Sequence, residues 1–522
     1  MKSPYLHPVY ELKVKDEAAL ARLAALVARF AVVADVIRLE GPLGAGKTTF
    51  ARAMLRALGW KGDVPSPTYT LVQTYETPRI NVAHLDCYRL KTPAELEGLD
   101  IADYRKHGLI IAEWPNKGGA LLSAKQPDFL SYHINNPDNG GVLTVQIKPG
   151  RGTARTVVLK GSSSWQHRFG LMFIDKAAGF GVVRRAVSEK ARRAVLKKFK
   201  VPAGYKMQAL PGDWSGRSYA RITLKDGTSR MLMDSPPPWE GTADTFNVST
   251  YYRSIGINAA RCFAHDPREG YLLTEDFGNN KLITLVEKKA ADSTYDIGDW
   301  YKAAVDVLVQ MHKAKPMKTA RKYAPRDWWA ETARFIDWYF PLATGRAATF
   351  AERAQFMAMW QKLYTRVMEG PLGTMMWDFQ STNIMILGKE PKAGNIGLVD
   401  IQDARTAPVA QDLAILLRDD RRSYNKAEDE VIAHAAKRLG VKEKDLREWF
   451  EIASLQHCCR IIGGVARSVV RDGKVATAKH FISRRWEIAH QSFDVPAVKE
   501  VVAFIKGLEK PGIAELVKRK AG

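Results

Sequence analysis

The octapeptide Gly41-Pro42-Leu43-Gly44-Ala45-Gly46-Lys47-Thr48 constrains this chain more than any other stretch. It matches G-x-x-x-x-G-K-[ST] at every fixed position. It also lies between an apolar, strand-like run, ADVIRLE at 34–40, and a helical run, FARAMLRALGW at 50–60. Glycines in such a loop let backbone N–H groups converge on an anion without Cβ obstruction. A helix that starts where the loop ends adds its unsatisfied N–H groups and its dipole. The order strand, loop, helix therefore predicts a phosphate cradle built from Gly41, Gly44, Ala45, Gly46, Lys47, Thr48 and Thr49. Lys47 is expected to reach the β- and γ-phosphates of ATP, and the Thr48 hydroxyl to ligate Mg²⁺.

A cradle of this kind needs carboxylates to finish the metal shell. Asp86 ends the strand-like run INVAHLD at 80–86, and Glu113 ends GLIIAE at 108–113. Both are expected at the nucleotide. Upstream, the prolines of Pro65-Ser66-Pro67-Thr68-Tyr69 stiffen a loop in which Thr68 offers a hydroxyl. An amphipathic helix over 16–31 with Asp16 as its cap, and a hairpin from 142–148 and 154–160, complete an α/β sheet pattern.

At 522 residues the chain exceeds one core, and about three domains or lobes are expected. Its 79 Lys+Arg against 56 Asp+Glu leave +23, which favours polyanionic partners such as tRNA or nucleotides. Cys87, Cys262, Cys458 and Cys459 lack zinc-like spacing and suit a reducing, cytoplasmic setting. The apolar stretch 20–37 is broken by Arg22, Arg29 and Asp35, so no membrane association is expected. Near residue 161 the texture changes, and 161–204 reads as a basic linker carrying the solvated helix RRAVSEKARRAVLKKFK at 184–200.

Beyond the linker a second constellation appears. Asp378 and Asn383 lie five apart in Trp377-Asp378-Phe379-Gln380-Ser381-Thr382-Asn383, and a strand-like run ends at Asp400. Kinase-fold enzymes use this spacing: one Asp accepts the substrate hydroxyl proton, while the Asn and the later Asp ligate Mg²⁺.

The series GxLGAGKTTF, SPTYTLVQTY, HLDCYRL and EWP resembles the TsaE family over roughly residues 8–160. That resemblance implies a small P-loop ATPase that supports threonylcarbamoylation of the tRNA adenosine beside the anticodon. Its partners would be TsaB- and TsaD-like proteins, with tRNA contacted indirectly or directly. Lys47 and Thr48 would hold phosphate and metal, Glu113 would be the magnesium-linked acid and Asp86 a second catalytic carboxylate. Pro42 stands where the family commonly carries Asp.

The second half resembles the aminoglycoside phosphotransferase (APH) superfamily over roughly 205–500. More narrowly it is similar to kinases of the anomeric hydroxyl of N-acetylmuramate or N-acetylglucosamine. The carrying segments are Gly212-Asp213-Trp214-Ser215-Gly216-Arg217-Ser218-Tyr219, LMDSPP at 232–237, LLTEDFG at 272–278, LVDIQDA at 398–404 and QDLAILLRD at 411–419. The resemblance implies a nucleotide loop at Gly212, Ser215, Gly216 and Arg217, a base at Asp378, and metal ligands at Asn383 and Asp400. It also implies an amino-sugar cleft with Asp337 and Trp338 of Phe335-Ile336-Asp337-Trp338-Tyr339. Met376-Trp377 replaces the family's His-Arg or Leu-Arg, Gln380 replaces a His and Gln411 replaces a Tyr; 229–233 has no Lys, and Met233 and Asp234 stand there as is usual for the narrower group of kinases it resembles. The whole predicts an α/β P-loop domain over 1–160, the linker, and a kinase-like α+β domain over 205–522, its small lobe ending near 280. A non-transferring nucleotide- or tRNA-binding scaffold is the alternative for the second domain.

Overall fold

The computed structural model describes residues 10–122, 140–172, 188–210, 217–235, 242–291, 297–419, 428–473 and 478–508. In the first domain, strands β1 (Tyr10–Val14), β2 (Val36–Glu40), β3 (Val72–Tyr75), β4 (Val82–Asp86), β5 (Leu109–Glu113), β6 (Val142–Pro149) and β7 (Arg155–Gly161) form one sheet. Their order is β1-β7-β6-β2-β5-β4-β3. The central strands β6, β2, β5 and β4 are parallel, and the flanking pairings are antiparallel. Parallel strands are covered on both faces, which is why β5 reads as an unbroken apolar run before its terminal acid.

Helix α1 (Glu17–Phe30) is capped by Asp16, whose carboxylate accepts from Ala19 N at 2.7 Å, and it buries Leu20, Leu23, Ala24 and Val27. Helices α2 (Lys47–Ala57) and α3 (Ile101–His107) follow β2 and precede β5. The boundary expected at 161 falls inside this domain. Helix α4 (Ser163–Met172) plants Trp165 and Phe169 in its core. Arg168 of α4 meets the buried Asp35 at 2.5 and 2.8 Å, and Asp35 also accepts from Val32 N and Gly141 N. A buried carboxylate at the head of β2 needs a buried cation, and α4 delivers it.

The second half of the expected linker likewise packs. Helix α5 (Glu189–Lys198) buries Arg192, Val195 and Leu196, the last two against Ala220, Ile222, Leu232 and Leu273. The helix expected as solvated is thus docked along an i, i+3, i+4 stripe while its other basic residues face out. Its partner is the small lobe: β8 (Lys206–Ala209), β9 (Ser218–Thr223), β10 (Ser229–Asp234), the short β11 (Asn258–Ala259), β12 (Cys262–Asp266) and β13 (Tyr271–Glu275), with α6 (Thr242–Ser254). All but β11 form the sheet β12-β13-β10-β9-β8.

The helical lobe contains α7 (Leu282–Ala291), α8 (Gly298–Lys313), α9 (Pro325–Arg334), a π-helical turn at Phe335–Tyr339, α10 (Phe340–Thr344), α11 (Phe350–Val367), α12 (Val409–Leu417), α13 (Glu428–Leu439) and the long α14 (Glu443–Asp472). Its short strands are β14 (Arg321–Lys322), β15 (Leu372–Met375), β16 (Ile384–Ile386), β17 (Ile396–Leu398) and β18 (Arg405–Pro408). They pair as β11-β17-β16 and β14-β18-β15.

The two domains touch through the end of the first domain's sheet remote from the phosphate loop. Arg353 of α11 grips Asp337 at 2.8 and 3.1 Å and donates to the Lys106 carbonyl at 2.6 Å. Asn81 donates to the Ala348 carbonyl at 3.2 Å, and Phe350 meets Tyr104 and His107 with ring centroids 4.8 and 5.4 Å away. Arg79 lies over the Trp338 ring at 4.4 Å.

Candidate active sites

The first site sits at the carboxyl ends of β2, β4 and β5. Gly41 (φ 145°) and Gly46 (φ 108°) adopt backbone angles that L side chains rarely accept. A Cβ on Gly41 would stand 2.3 Å from the Ile147 carbonyl oxygen, so β6 presses directly on the loop's entry. Helix α2 begins at Lys47, with its first N–H groups facing the loop. Lys47 Nζ donates to the Gly41 and Pro42 carbonyls at 3.0 and 2.8 Å and lies 3.9 Å over the Trp114 ring. Burial lowers its pKa, opposed by the carboxylates of Glu113 and Asp86. Ala45 is buried inside the loop, and Thr49 follows Thr48 in the first turn of α2.

The two acids are paired across β4 and β5, Asp86 opposite Glu113. Thr48 Oγ1 donates to Glu113 Oε2 at 3.0 Å. Asp86 accepts from Thr68 Oγ1 at 2.6 Å and Ser66 Oγ at 3.0 Å through one oxygen, and from Tyr88 N at 2.9 Å through the other. The stiff Pro-Ser-Pro-Thr loop is thereby tied to the acid.

Two further residues complete this site. His84 is fully buried with Nε2 3.1 Å from Glu113 Oε1. The alternation His84-x-Asp86 was the available signal, because it puts both on one sheet face. Arg155 of β7 donates to the Ala45 carbonyl at 3.1 Å and braces the loop from a strand over a hundred residues downstream. No local signal marks it.

The second site lies where the hairpin β16–β17 meets the loop after β15. Val399 N donates to the Asn383 carbonyl at 3.1 Å, which sets Asp400 beside Asn383. Asn383 Nδ2 donates to Asp378 Oδ2 at 3.2 Å and to the Asp378 carbonyl at 3.1 Å. Gln380 Nε2 reaches the same Oδ2 at 3.2 Å, standing in the place expected for a His. Asp378, Asn383 and Asp400 are thus neighbours. Trp377 holds φ 72°, a costly angle for a bulky residue, and is over-determined by its surroundings. Its N–H and that of Met376 donate to the buried Asp412 at 3.0 and 2.7 Å. Its ring packs against both Tyr323, 4.3 Å away by centroids, and the Arg405 guanidinium at 4.2 Å, which are themselves 5.7 Å apart. Arg405 is itself paired with Glu331 of α9 at 3.1 Å.

Arg217 joins this site through an ion pair with Asp400. Gly212, Ser215 and Gly216 lie outside the described residues. Asp337 and Trp338 are placed apart from the other predicted residues: the contact between the domains engages the carboxylate with Arg353 and the ring with Arg79.

Both sites offer oxygen donors of the kind Mg²⁺ takes. In the first these are the Thr48 hydroxyl and the Glu113 carboxylate, already 3.0 Å apart. In the second they are the Asp400 carboxylate and the Asn383 amide oxygen, whose nitrogen is turned to Asp378. Among the described residues no group of three or more His, Cys, Asp or Glu could hold a metal alone. A cation shared with phosphates needs none. No helix among the described residues is long and apolar enough to cross a membrane.

Fold and sites together define an α/β P-loop nucleotide-binding domain joined to a kinase-fold phosphotransferase domain. The chain matches "Threonylcarbamoyl adenosine biosynthesis protein TsaE" over residues 14–140 and "Phosphotransferase enzyme family" (APH) over 206–449. A tRNA threonylcarbamoyladenosine biosynthesis protein TsaE from Rickettsia prowazekii is 39% identical over 106 residues, 20% of this chain and 72% of that protein. One from Haemophilus influenzae is 46% identical over 90 residues, 17% of this chain and 57% of that protein. An N-acetylmuramate/N-acetylglucosamine kinase from Caulobacter vibrioides is 26% identical over 336 residues, 57% of this chain and 90% of that protein. The chain belongs to the TsaE family through its first domain and carries an APH phosphotransferase domain as its second. These matches to a TsaE family and to a phosphotransferase enzyme family mark the chain as an enzyme.

Proposed function

We propose that this is a bifunctional protein with two Mg·ATP sites. The first domain is an ATPase required for N6-threonylcarbamoyladenosine formation in tRNA, acting with TsaB- and TsaD-like partners in the cytoplasm. The second is an ATP-dependent kinase for the anomeric hydroxyl of an amino sugar. The observation that carries the second reading is the convergence of Asp378, Asn383 and Asp400 in a site whose base is already oriented by two amide donors.

In that reaction Asp378 accepts the proton of the acceptor hydroxyl as its oxygen bonds to the γ-phosphorus. The bond from that phosphorus to the β-bridging oxygen breaks, and ADP leaves. Asn383 and Asp400 hold Mg²⁺, which neutralises charge on the phosphates. In the first domain the loop N–H groups and Lys47 bind the triphosphate, Thr48 and Glu113 hold the metal, and Asp86 is the second catalytic carboxylate. His84 fixes the orientation of Glu113 through its other oxygen.

The test is a substrate screen of the full chain with ATP and amino sugars. Sugar 1-phosphate is expected from the parent and from Lys47→Ala, and none from Asp378→Ala, which keeps its fold. ATP hydrolysis by the first site is expected to be slow alone, to rise with the partner proteins, and to vanish in Lys47→Ala. No sugar phosphate from any acceptor would favour a scaffold role for the second domain.

A further inference from the structure

The acid at Asp400 is held across the cleft by the opposite lobe. Arg217, just ahead of β9 and only 8% exposed, donates through Nη1 to Asp400 Oδ1. Gln402 closes the group. With its amide oriented to satisfy both neighbours, it donates to Asp400 Oδ1 at 3.0 Å and accepts from Arg217 at 2.9 and 3.3 Å. A small-lobe guanidinium is thereby built into the site of the helical lobe.

Three other cations among the described residues on this side of the cleft are engaged elsewhere. A kinase fold has a lysine on the strand corresponding to β10. Here that strand reads Ser229-Arg230-Met231-Leu232-Met233-Asp234. Arg230 lies over the Phe263 ring at 4.5 Å. Arg221, the cation of β9, is committed to Asp276 at 2.6 Å and Asn279 at 2.8 Å. Arg192 of α5 donates to Ser218 at 2.7 Å and stands 3.5 Å from Asp234. Arg217 alone among these points at a residue of the phosphate-transfer site.

We propose that Arg217 is the phosphate-binding cation of the second site, replacing the lysine missing from β10, and that Asp400 exchanges this arginine for Mg²⁺ as the nucleotide enters. The inference rests on the reading of the second site as an Mg·ATP site. A buried ion pair broken at one end leaves a costly lone charge. The exchange avoids this at both ends, because the carboxylate passes to the metal while the guanidinium passes to phosphate oxygens. The planar fork of arginine suits such oxygens as well as it suits a carboxylate. Metal alone would displace Arg217 with nothing to receive it, so metal and nucleotide strengthen each other's binding.

The experiment uses the full chain with Lys47→Ala silencing the first site. Calorimetric titrations of Mg·ATP, Mg·ADP and adenosine are compared for this parent and for added Arg217→Gln or Arg217→Lys, with Mn²⁺ alone followed by paramagnetic resonance. Arg217→Gln is expected to weaken Mg·ATP and Mg·ADP at least tenfold, as loss of a charge-assisted contact does. Adenosine affinity should stay within about twofold, because it lacks the phosphates that the charge-assisted contact serves. Mn²⁺ alone should bind more tightly, and Arg217→Lys should recover part of the Mg·ATP affinity. Undiminished Mg·ATP affinity in Arg217→Gln would overturn the inference, as would an equal loss for adenosine, which would mark Arg217 as a support of the pocket's shape. If the parent binds no Mg·ATP, the second-site reading itself falls, and that outcome is distinct from both.

Discussion

Replacing Asp412 with Asn should change how stability depends on pH, with a sign opposite to that of most carboxylates. Asp412 lies fully buried in the first turn of α12 and accepts the N–H groups of Met376 and Trp377. Burial pushes its pKa up to about 7, although those two N–H groups and the charges of Arg460 and Arg405 pull it down. In the unfolded chain it titrates near 3.9. The folded state therefore binds this proton more tightly. The stabilisation is fully present below about pH 4 and is lost as pH rises through about 7. A shift of about three units is worth about 4 kcal/mol at 1.36 kcal/mol per unit. Asn stays neutral throughout but gives up one acceptor oxygen, at about 1 kcal/mol. Asp412→Asn should thus be about 1 kcal/mol less stable than the parent near pH 4 and about 3 kcal/mol more stable at pH 8. The assay is urea-dependent hydrogen exchange of the peptides covering 372–417, which reports separation of α12 from the loop it holds. A parent-to-variant difference that stays flat between pH 4 and 8, or that moves against Asn as pH rises, would refute this reasoning.

Gly41→Ala should abolish nucleotide binding at the first site, because its Cβ would meet the Ile147 carbonyl at 2.3 Å and φ is 145°. Titration with ATP should then fall from two bound nucleotides per chain to one, and two in the variant would refute it. Arg168→Met should destabilise the first domain by about 3–5 kcal/mol by stranding the buried Asp35. Melting temperatures check it, and adding Asp35→Asn should recover part of the loss. Arg353→Ala leaves Asp337 without its cation and removes the donor to the Lys106 carbonyl. Amide exchange over 104–108 and 335–339 should then quicken together, and quickening of one segment alone would show that the contact does not bind the two domains as described.

The strand, glycine loop and helix over 36–57 were readable because the whole pattern lies in one unbroken run of residues. Asp86 and Glu113 were readable for a related reason, since each closes an apolar strand and the sheet aligns strand ends. His84 was not singled out because a lone histidine in an apolar strand reads as core until its Glu113 partner is seen. Arg155 and Arg168 act across separations that no local pattern records. For α5, the excess of Lys and Arg masked the stripe of Arg192, Val195 and Leu196 that docks it. Asp337 and Trp338 carry the right chemistry for a sugar cleft, but the same chemistry suits a contact between domains. Side-chain type alone does not separate those uses.

Helix α9 bears on how the polypeptide tolerates being cut. One side of this ten-residue rod holds Glu331 against Arg405 beneath the kinase loop, while Trp329 on its other flank lies 5.0 Å from the Arg353 guanidinium that reaches Lys106. Severing the chain between its halves would bare Trp338 and Phe350 to water and leave the Arg353–Asp337 pair hydrated. An excised kinase would carry a sticky apolar scar next to the scaffold of its own catalytic machinery, so a dead fragment would say little about the intact enzyme.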